Sequence, residues 1–269
     1  MPATRRSMIA ATLAAPLPAL AQPSSGSAPR DVAATLAPSG TLRVAINYGN
    51  PVLAQRDPAG GEPRGVSADL ARELARRLGL PMQVVPFDAA GRVTEALRAD
   101  AWDICFLAID PVRAQGIAFT APYVVIEGAY LVRQDSPIRE NAEVDRPGIR
   151  VAVGRGSAYD LFLTRELRHA TIIRAPTSPA SLEYFRRDNL EVAANVKQPL
   201  VAYARANPDV RVLPGRFQVI EQAVGIPAGR AAALPWLRAF VEEMKASGFV
   251  ARSLAASGQS DAEVAPPAS

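Results

Sequence analysis

Strand-like and helix-like segments alternate along this chain, and the alternation occurs twice. Strands are predicted at residues 42–46, 82–87, 104–109 and 124–132, and a second set at 149–153, 171–174, 190–194, 210–213 and 219–226. Helices are predicted to begin near residues 67, 93, 158, 179, 199 and 231, with a short one after Gly248. Strands that alternate with helices favour a sheet covered by helices. The two sets therefore predict two α/β lobes.

The first long helix and the third strand carry the clearest patterns. Leu70, Leu74 and Leu78 recur at every fourth residue, and Ser67 can cap the helix that they predict. Residues 104–109 are apolar without interruption, which indicates a strand that is buried on both faces.

The N-terminus has the features of an export signal. Arg5 and Arg6 precede an uncharged, alanine-rich stretch, and Ala19-Leu20-Ala21 is a small-x-small cleavage pattern. This predicts a signal peptide over residues 1–21, cleaved near Ala21, and a periplasmic mature protein. The adjacent arginines also fit a twin-arginine signal, so the export route, Sec or twin-arginine, stays open.

Composition outside the two lobes predicts irregular ends. Residues 22–39 are rich in Ser, Pro, Gly and Ala and predict a linker, and the polar residues 258–269, with Pro266-Pro267, predict a flexible tail. No cysteine directly follows the cleavage site, so no lipid anchor is expected there. No apolar run reaches the ~20 residues of a membrane span.

Charge does not point to a nucleic-acid partner. The formal net charge is +4, and removal of Arg5 and Arg6 with the signal peptide lowers it to +2. Lys197 and Lys245 are the only lysines, and the many arginines are interspersed with acids, as on a solvated surface. No nucleic-acid binding is predicted.

The residues needed for most metal and cofactor chemistry are missing. His169 and Cys105 are the only histidine and cysteine, which excludes zinc sites built from several such ligands and an intramolecular disulfide. Cys105 lies in an apolar run and is predicted to be a core residue rather than a nucleophile. The loop at 154–156 lacks the further glycine of a dinucleotide fingerprint and the lysine of a P-loop. No cofactor or metal is predicted, whereas acid–base catalysis by Asp and Glu stays open.

Six short motifs follow one another along the chain: GTLRVAIN at 40–47, GVSADLA at 65–71, WDI at 102–104, DPVRA at 110–114, AFTAPY at 118–123 and VAVGRGS at 151–157. In this order they resemble the motifs of the family 3 extracellular solute-binding proteins of ABC importers, the polar amino-acid-binding class. Each motif alone is weak, but together they make the resemblance specific, and it covers roughly residues 40–256.

The resemblance implies a two-lobed α/β structure, the type II periplasmic binding protein fold, with two hinge crossings. Lobe 1 would comprise residues 40–131 plus 223–257, and lobe 2 residues 132–222. A solute would bind between the lobes, which would close around it by a hinge motion.

The resemblance also implies a binding site. Arg113 takes the position of the arginine that pairs with the ligand's carboxylate, and a guanidinium group suits a carboxylate because it can donate two parallel hydrogen bonds. Ser157 takes the position of a loop at a helix N-terminus that also meets the carboxylate. Asn47, Tyr159 and, as an aromatic lid, Tyr48 are further candidate ligand-binding residues.

Several residues depart from the family's pattern where it binds an α-ammonium group. Ala108 stands where a Ser or Thr is usual, and Val196, followed by Lys197, stands where an Asp is usual. The carboxylate anchor is thus kept while the ammonium anchors are missing, and an unpaired buried ammonium is costly. Asp110 could serve as a substitute.

These residues predict a non-enzymatic, monomeric binding protein that delivers a small carboxylate, an amino acid or a related organic acid, to an ABC transporter permease. Two alternatives stay open. One is a periplasmic enzyme on the same fold that resembles cyclohexadienyl dehydratase, with Asp110 and Lys197 as candidate acid and base. The other is an accessory or sensory binding module with a different partner.

Overall fold

The computed structural model describes residues 28–268. The predicted signal peptide, its cleavage site and the first part of the predicted linker, residues 22–27, lie outside the described residues. The strands are β1 (Leu42–Asn47), β2 (Met82–Phe87), β3 (Ile104–Ala108), β4 (Ile117–Arg133), β5 (Arg150–Gly154), β6 (Thr171–Ala175), β7 (Val192–Val196), β8 (Val210–Val212), β9 (Gln218–Pro227) and β10 (Glu263–Val264). The α-helices are α1 (Arg30–Leu36), α2 (Val66–Leu78), α3 (Ala90–Ala96), α4 (Ala158–Glu166), α5 (Ser178–Arg187), α6 (Lys197–Ala206), α7 (Leu234–Ala246) and α8 (Phe249–Ala256).

Two long strands join two sets of parallel strands into one sheet of order β2-β1-β3-β9-β4-β7-β5-β6. The first lobe contains the parallel strands β1, β2 and β3, and the second contains β5, β6 and β7. The chain leaves the first lobe along β4 and returns along β9, and these two strands pair antiparallel with each other. At its C-terminal end β4 pairs with β7, while β9 pairs with β3. The predicted two-lobed α/β fold with two hinge crossings is confirmed.

Burial explains why the central strands are apolar. All five residues of β3 and all five of β7 are buried, as expected for strands that are covered on both faces of the sheet. Cys105 is fully buried within β3, as predicted for a core residue.

Helix α2 packs its leucine face on the first lobe as predicted, but its N-terminus differs from the prediction. Leu70, Leu74 and Leu78 are buried. The N-cap residue is Gly65, and Ser67 lies inside the first turn, where its hydroxyl oxygen is 3.0 Å from that of the buried Tyr123. Ser67 therefore ties the helix to β4 instead of capping it.

Both ends of the chain contain more structure than composition predicted. Helix α1 lies within the stretch that was predicted to be a linker. Its Leu36 is fully buried in the core, so this part of the chain is packed on the first lobe. Strand β10 lies within the predicted tail and pairs antiparallel with β4 at Val124 and Val125. Ala262 and Ala265, beside β10, are buried, so small apolar residues in a polar stretch suffice to dock it on the hinge strand.

Among residues 28–268, none of the helices combines the length and apolar character that a bilayer crossing requires.

Candidate ligand-binding cleft

A cavity of about 30 Å³ lies between the lobes, at the C-terminal ends of β1, β3 and β7, and the hinge strand β9 contributes to its lining. Both lobes and β9 contribute to its lining, which consists of Asn47, Gly49, Asn50, Ala90, Leu107, Ala108, Arg113, Ser157, Ala158, Tyr159, Ser178, Val196, Ile220 and Gln222. The lining includes six residues singled out in the sequence: Asn47, Ala108, Arg113, Ser157, Tyr159 and Val196. The other three candidates, Tyr48, Asp110 and Lys197, lie outside it.

Arg113 lies in a short 3-10 turn after β3 and is only 2% exposed. Its Nη1 donates to the Ala108 carbonyl at 2.9 Å, and its Nη2 donates across the cleft to the Gly156 carbonyl at 2.9 Å. Its Nε is buried and has no hydrogen-bond partner within the described residues. Burial lowers the pKa of Arg113 to about 10, against the opposing effect of the nearby Asp110 charge, so the guanidinium stays cationic at neutral pH. A buried cation with unused donors favours an anionic partner.

The loop before α4 contacts the first lobe through its backbone. Gly156 has a φ of +68°, and a Cβ atom on it would lie 2.6 Å from the Cα of Gly91 in α3. The lobes therefore approach closely here only because both residues are glycines.

Ser157 caps α4, as the sequence suggested for a helix N-terminus. Its Oγ accepts a hydrogen bond from the Asp160 backbone N–H at 3.0 Å. The Gly156 N–H donates to the Asp160 carboxylate at 2.8 Å. These two backbone donors are thus already used, whereas Arg113 keeps an unpaired Nε–H.

Tyr159 lines the cavity from the second lobe, and Asn195, outside the lining, bonds to the same Ser178. The Tyr159 hydroxyl donates to Ser178 Oγ at 2.6 Å, and burial raises the pKa of Tyr159 to about 12, so the phenol is neutral. Asn195 Oδ1 accepts from the backbone N–H of Val196 at 2.8 Å, and its Nδ2 donates to the Ser178 carbonyl at 3.1 Å. Val196 therefore presents an apolar side chain beside a polar network that is already satisfied.

Gln222 is a cavity residue that sequence reasoning missed. It lies on β9 opposite Ala108 and is 5% exposed. Within residues 28–268, no hydrogen bond reaches its side-chain amide, which faces the cavity. A signal was present in the sequence, because Gln222 interrupts the inward-facing positions of Ile220 and Val224 with a polar side chain.

Asp110 pairs across the lobes instead of facing the cavity. Its Oδ1 accepts from the Val112 backbone N–H at 2.8 Å, and its Oδ2 accepts from Arg165 of α4 at 2.8 Å. Both carboxylate oxygens therefore have partners.

Lys197 and Tyr48 line neighbouring cavities. Lys197 lies beside the hinge in a cavity of about 650 Å³, and its Nζ is 2.6 Å from Glu127, which also pairs with Arg216. Tyr48 lies at the mouth of the cleft, where the guanidinium of Arg56 stacks 4.1 Å from its ring centroid. Neither side chain lines the cavity that contains Arg113.

A sheet divided between two lobes, with a buried cation in the cleft between them, defines a two-lobed α/β binding protein. Among residues 28–268, no three His, Cys, Asp or Glu side chains are grouped so that they could hold a metal ion.

The chain belongs to the bacterial extracellular solute-binding proteins, family 3, because the model of that family matches residues 42–256.

Solved structures share the fold at low sequence identity. A mutant of ArgBP from T. maritima is 21% identical with a TM-score of 0.70, and the match covers 83% of this chain and 97% of that one. The solute receptor for L-cysteine of Neisseria gonorrhoeae is 22% identical with a TM-score of 0.70, over 84% and 91% of the two chains. An ancestral amino acid-binding protein, a precursor of cyclohexadienyl dehydratase, is 23% identical with a TM-score of 0.69, over 83% and 98%. A comparison with curated proteins found no match.

Proposed function

We propose that this protein is a monomeric periplasmic component of an ABC importer, which captures a small carboxylate-bearing solute in the cavity between its lobes and delivers it to a permease. The observation that carries the proposal is Arg113, a buried guanidinium in the interlobe cavity whose Nε–H has no partner among the described residues. A guanidinium has five N–H donors, and here two hydrogen bonds go to carbonyl groups. The remaining donors suit a carboxylate.

The volume of the cavity requires a hinge motion. A cavity of about 30 Å³ holds roughly one water molecule, whereas ligand pockets typically measure about 300–1,000 Å³. A solute would therefore enter with the lobes apart. The Asp110–Arg165 contact lies outside the cavity lining and would form again as the lobes close, whereas the contact of Arg113 with Gly156 would give way to the solute.

The family and the similar structures agree with this proposal. The family consists of extracellular solute-binding proteins, and the similar structures include ArgBP and a solute receptor for L-cysteine. Amino acids carry a carboxylate, which is the group that Arg113 would bind.

A binding role is favoured over a dehydratase, although one similar structure is a precursor of such an enzyme. Asp110 and Lys197, the candidate acid and base, lie outside the cavity lining, and each is held in an ion pair. No observation favours the third alternative, a sensory module.

The test is a thermal-shift screen of the mature protein with amino acids, hydroxy acids, oxo acids and uncharged amides, combined with native mass spectrometry of protein purified from periplasm. We expect at least one carboxylate to raise the melting temperature, because a ligand that binds only the folded state stabilises it. The amide that matches this carboxylate should have no effect. If no carboxylate raises the melting temperature, or if a bound carboxylate is consumed, the proposal is wrong.

A further inference from the structure

We infer that the cavity selects carboxylates without an α-ammonium group and accepts a hydroxyl or oxo oxygen in its place. This inference rests on the proposed function. It follows from the charges, the free polar groups and the apolar wall of the cavity.

The cavity lining carries a positive charge and no negative charge. Among the lining residues, all of which belong to the described part of the chain, Arg113 is the one charged side chain, and no Asp or Glu takes part. An ammonium group bound there would be buried close to a like charge, without a carboxylate to compensate it. Both effects disfavour its charged form.

The acids around the cleft are committed to other partners. Asp110 accepts from Val112 and Arg165. Asp160 lies behind the Ser157 loop, where it accepts from the Gly156 N–H and from Arg174. To reach an ammonium, either acid would have to give up an ion pair in which its own carboxylate is buried and the arginine is about a third exposed.

The Gln222 amide is a free, neutral polar group of the cavity lining. The residue is 5% exposed and its side chain has no hydrogen bond to any residue within 28–268, whereas Asn47 Oδ1 already accepts from the Gly49 N–H at 3.0 Å. An amide offers both N–H donors and a carbonyl acceptor. It can therefore donate to an oxo oxygen or pair with a hydroxyl, and either pairing would satisfy Gln222.

The apolar part of the cavity lining offers no acceptor for an ammonium group. It includes the side chains of Val196 and Ile220, and the nearby Asn195 Oδ1 already accepts from the Val196 N–H. Val196 is also the N-cap residue of α6, a position at which Asp and Asn are both favourable. These two replacements have nearly the same shape and differ in charge, so they form a matched pair of variants.

The test is calorimetric titration of the wild-type protein, Val196→Asp and Val196→Asn with carboxylates that share a carbon skeleton. The sets are pyruvate, lactate and alanine; 2-oxoglutarate, 2-hydroxyglutarate and glutamate; and phenylpyruvate, phenyllactate and phenylalanine. In any set that binds, the wild type should bind the oxo or hydroxy acid about tenfold or more tighter than the amino acid. Val196→Asp should narrow or reverse this preference, and Val196→Asn, which adds an acceptor without a charge, should narrow it clearly less.

The outcomes separate this inference from the proposed function. Tighter wild-type binding of the amino acid would overturn the inference and leave the proposed function standing, since a carboxylate still binds. Equal shifts in the two Val196 variants would also overturn it, because charge would then not be the cause. If no acid in any set binds, both the inference and the proposed function fall.

Discussion

Arg165 in the second lobe donates a hydrogen bond to Asp110 in the first lobe at 2.8 Å, so an ion pair joins the lobes beside the cavity. Asp110 is almost fully buried, whereas about a third of the Arg165 side chain is exposed. The pair can form only when the lobes are close, and it therefore contributes to the closed state.

We predict that Arg165→Gln weakens binding of any carboxylate that the wild-type protein binds about two- to fivefold, because a partly exposed ion pair contributes about 0.5–1 kcal/mol. Calorimetry measures the affinity, and small-angle scattering should show a larger radius of gyration for the liganded variant. Arg150→Gln is the matched control, since Arg150 pairs with Glu191 inside the second lobe at 2.8 Å. Equal effects of the two changes would contradict a role in closure.

Replacement of Arg113 by lysine should weaken carboxylate binding about 10- to 150-fold, because a charge-assisted hydrogen bond contributes about 1.5–3 kcal/mol. Lysine keeps the charge but loses the planar fork of donors. The control is Arg92→Lys on α3, where the arginine side chain is 71% exposed. If Arg113→Lys binds as the wild type does, Arg113 does not contact the carboxylate.

Replacement of Gly91 by alanine should hinder closure without destabilising the first lobe. A Cβ atom at Gly91 would lie 3.0 Å from the Arg155 carbonyl oxygen and 3.2 Å from the Gly156 Cα. We expect binding to weaken about fivefold or more, because overpacking costs about 1 kcal/mol or more. The melting temperature without solute should not fall, since alanine favours a helix over glycine. Gly229→Ala is the control, because a Cβ atom there would meet nothing within 4 Å.

Acid should destabilise the first lobe through Asp103. This fully buried carboxylate accepts from Arg43 at 2.7 Å and from Arg230 at 2.5 Å. Burial alone would raise the pKa of Asp103, but the hydrogen bonds from Arg43 and Arg230 outweigh it and hold the pKa below its usual range. The stabilisation is therefore present above the unfolded-state pKa of about 3.9 and is lost as the pH falls through the folded-state value.

Asp103→Asn should accordingly lower the free energy of unfolding by about 3 kcal/mol at pH 7, and this difference should shrink below about pH 4. Thermal unfolding of both proteins between pH 3 and pH 7 measures it. Asp188→Asn serves as the control, since Asp188 pairs at the surface with the adjacent Arg187. A difference that does not change with pH would show that shape, and not charge, is responsible.

The mature protein should begin at Gln22, after cleavage of the Ala19-Leu20-Ala21 pattern. N-terminal sequencing of periplasmic material checks this start. Protein that stays in the cytoplasm with its N-terminus intact would refute export.

Local patterns in the sequence identified most elements of the fold. The leucines at 70, 74 and 78 and the apolar run at 104–109 predicted α2 and β3, since these periodicities reflect the side of an element that is buried. Composition was less informative at the ends of the chain. Alanine- and proline-rich stretches have the same composition whether they are exposed to solvent or packed on the protein. Composition therefore did not predict α1 or β10.

The sequence by itself determined the two α/β lobes and the presence of an arginine in the turn at 110–114, because both are recorded in residues close together in the chain. Only the tertiary structure decided which side chains share the cavity. It brought Gln222 of β9 beside Ala108 and directed Asp110 to Arg165. The physical reason is that a polar side chain takes the partner that the folded chain places next to it, and the hinge strands bring together residues that lie far apart in sequence.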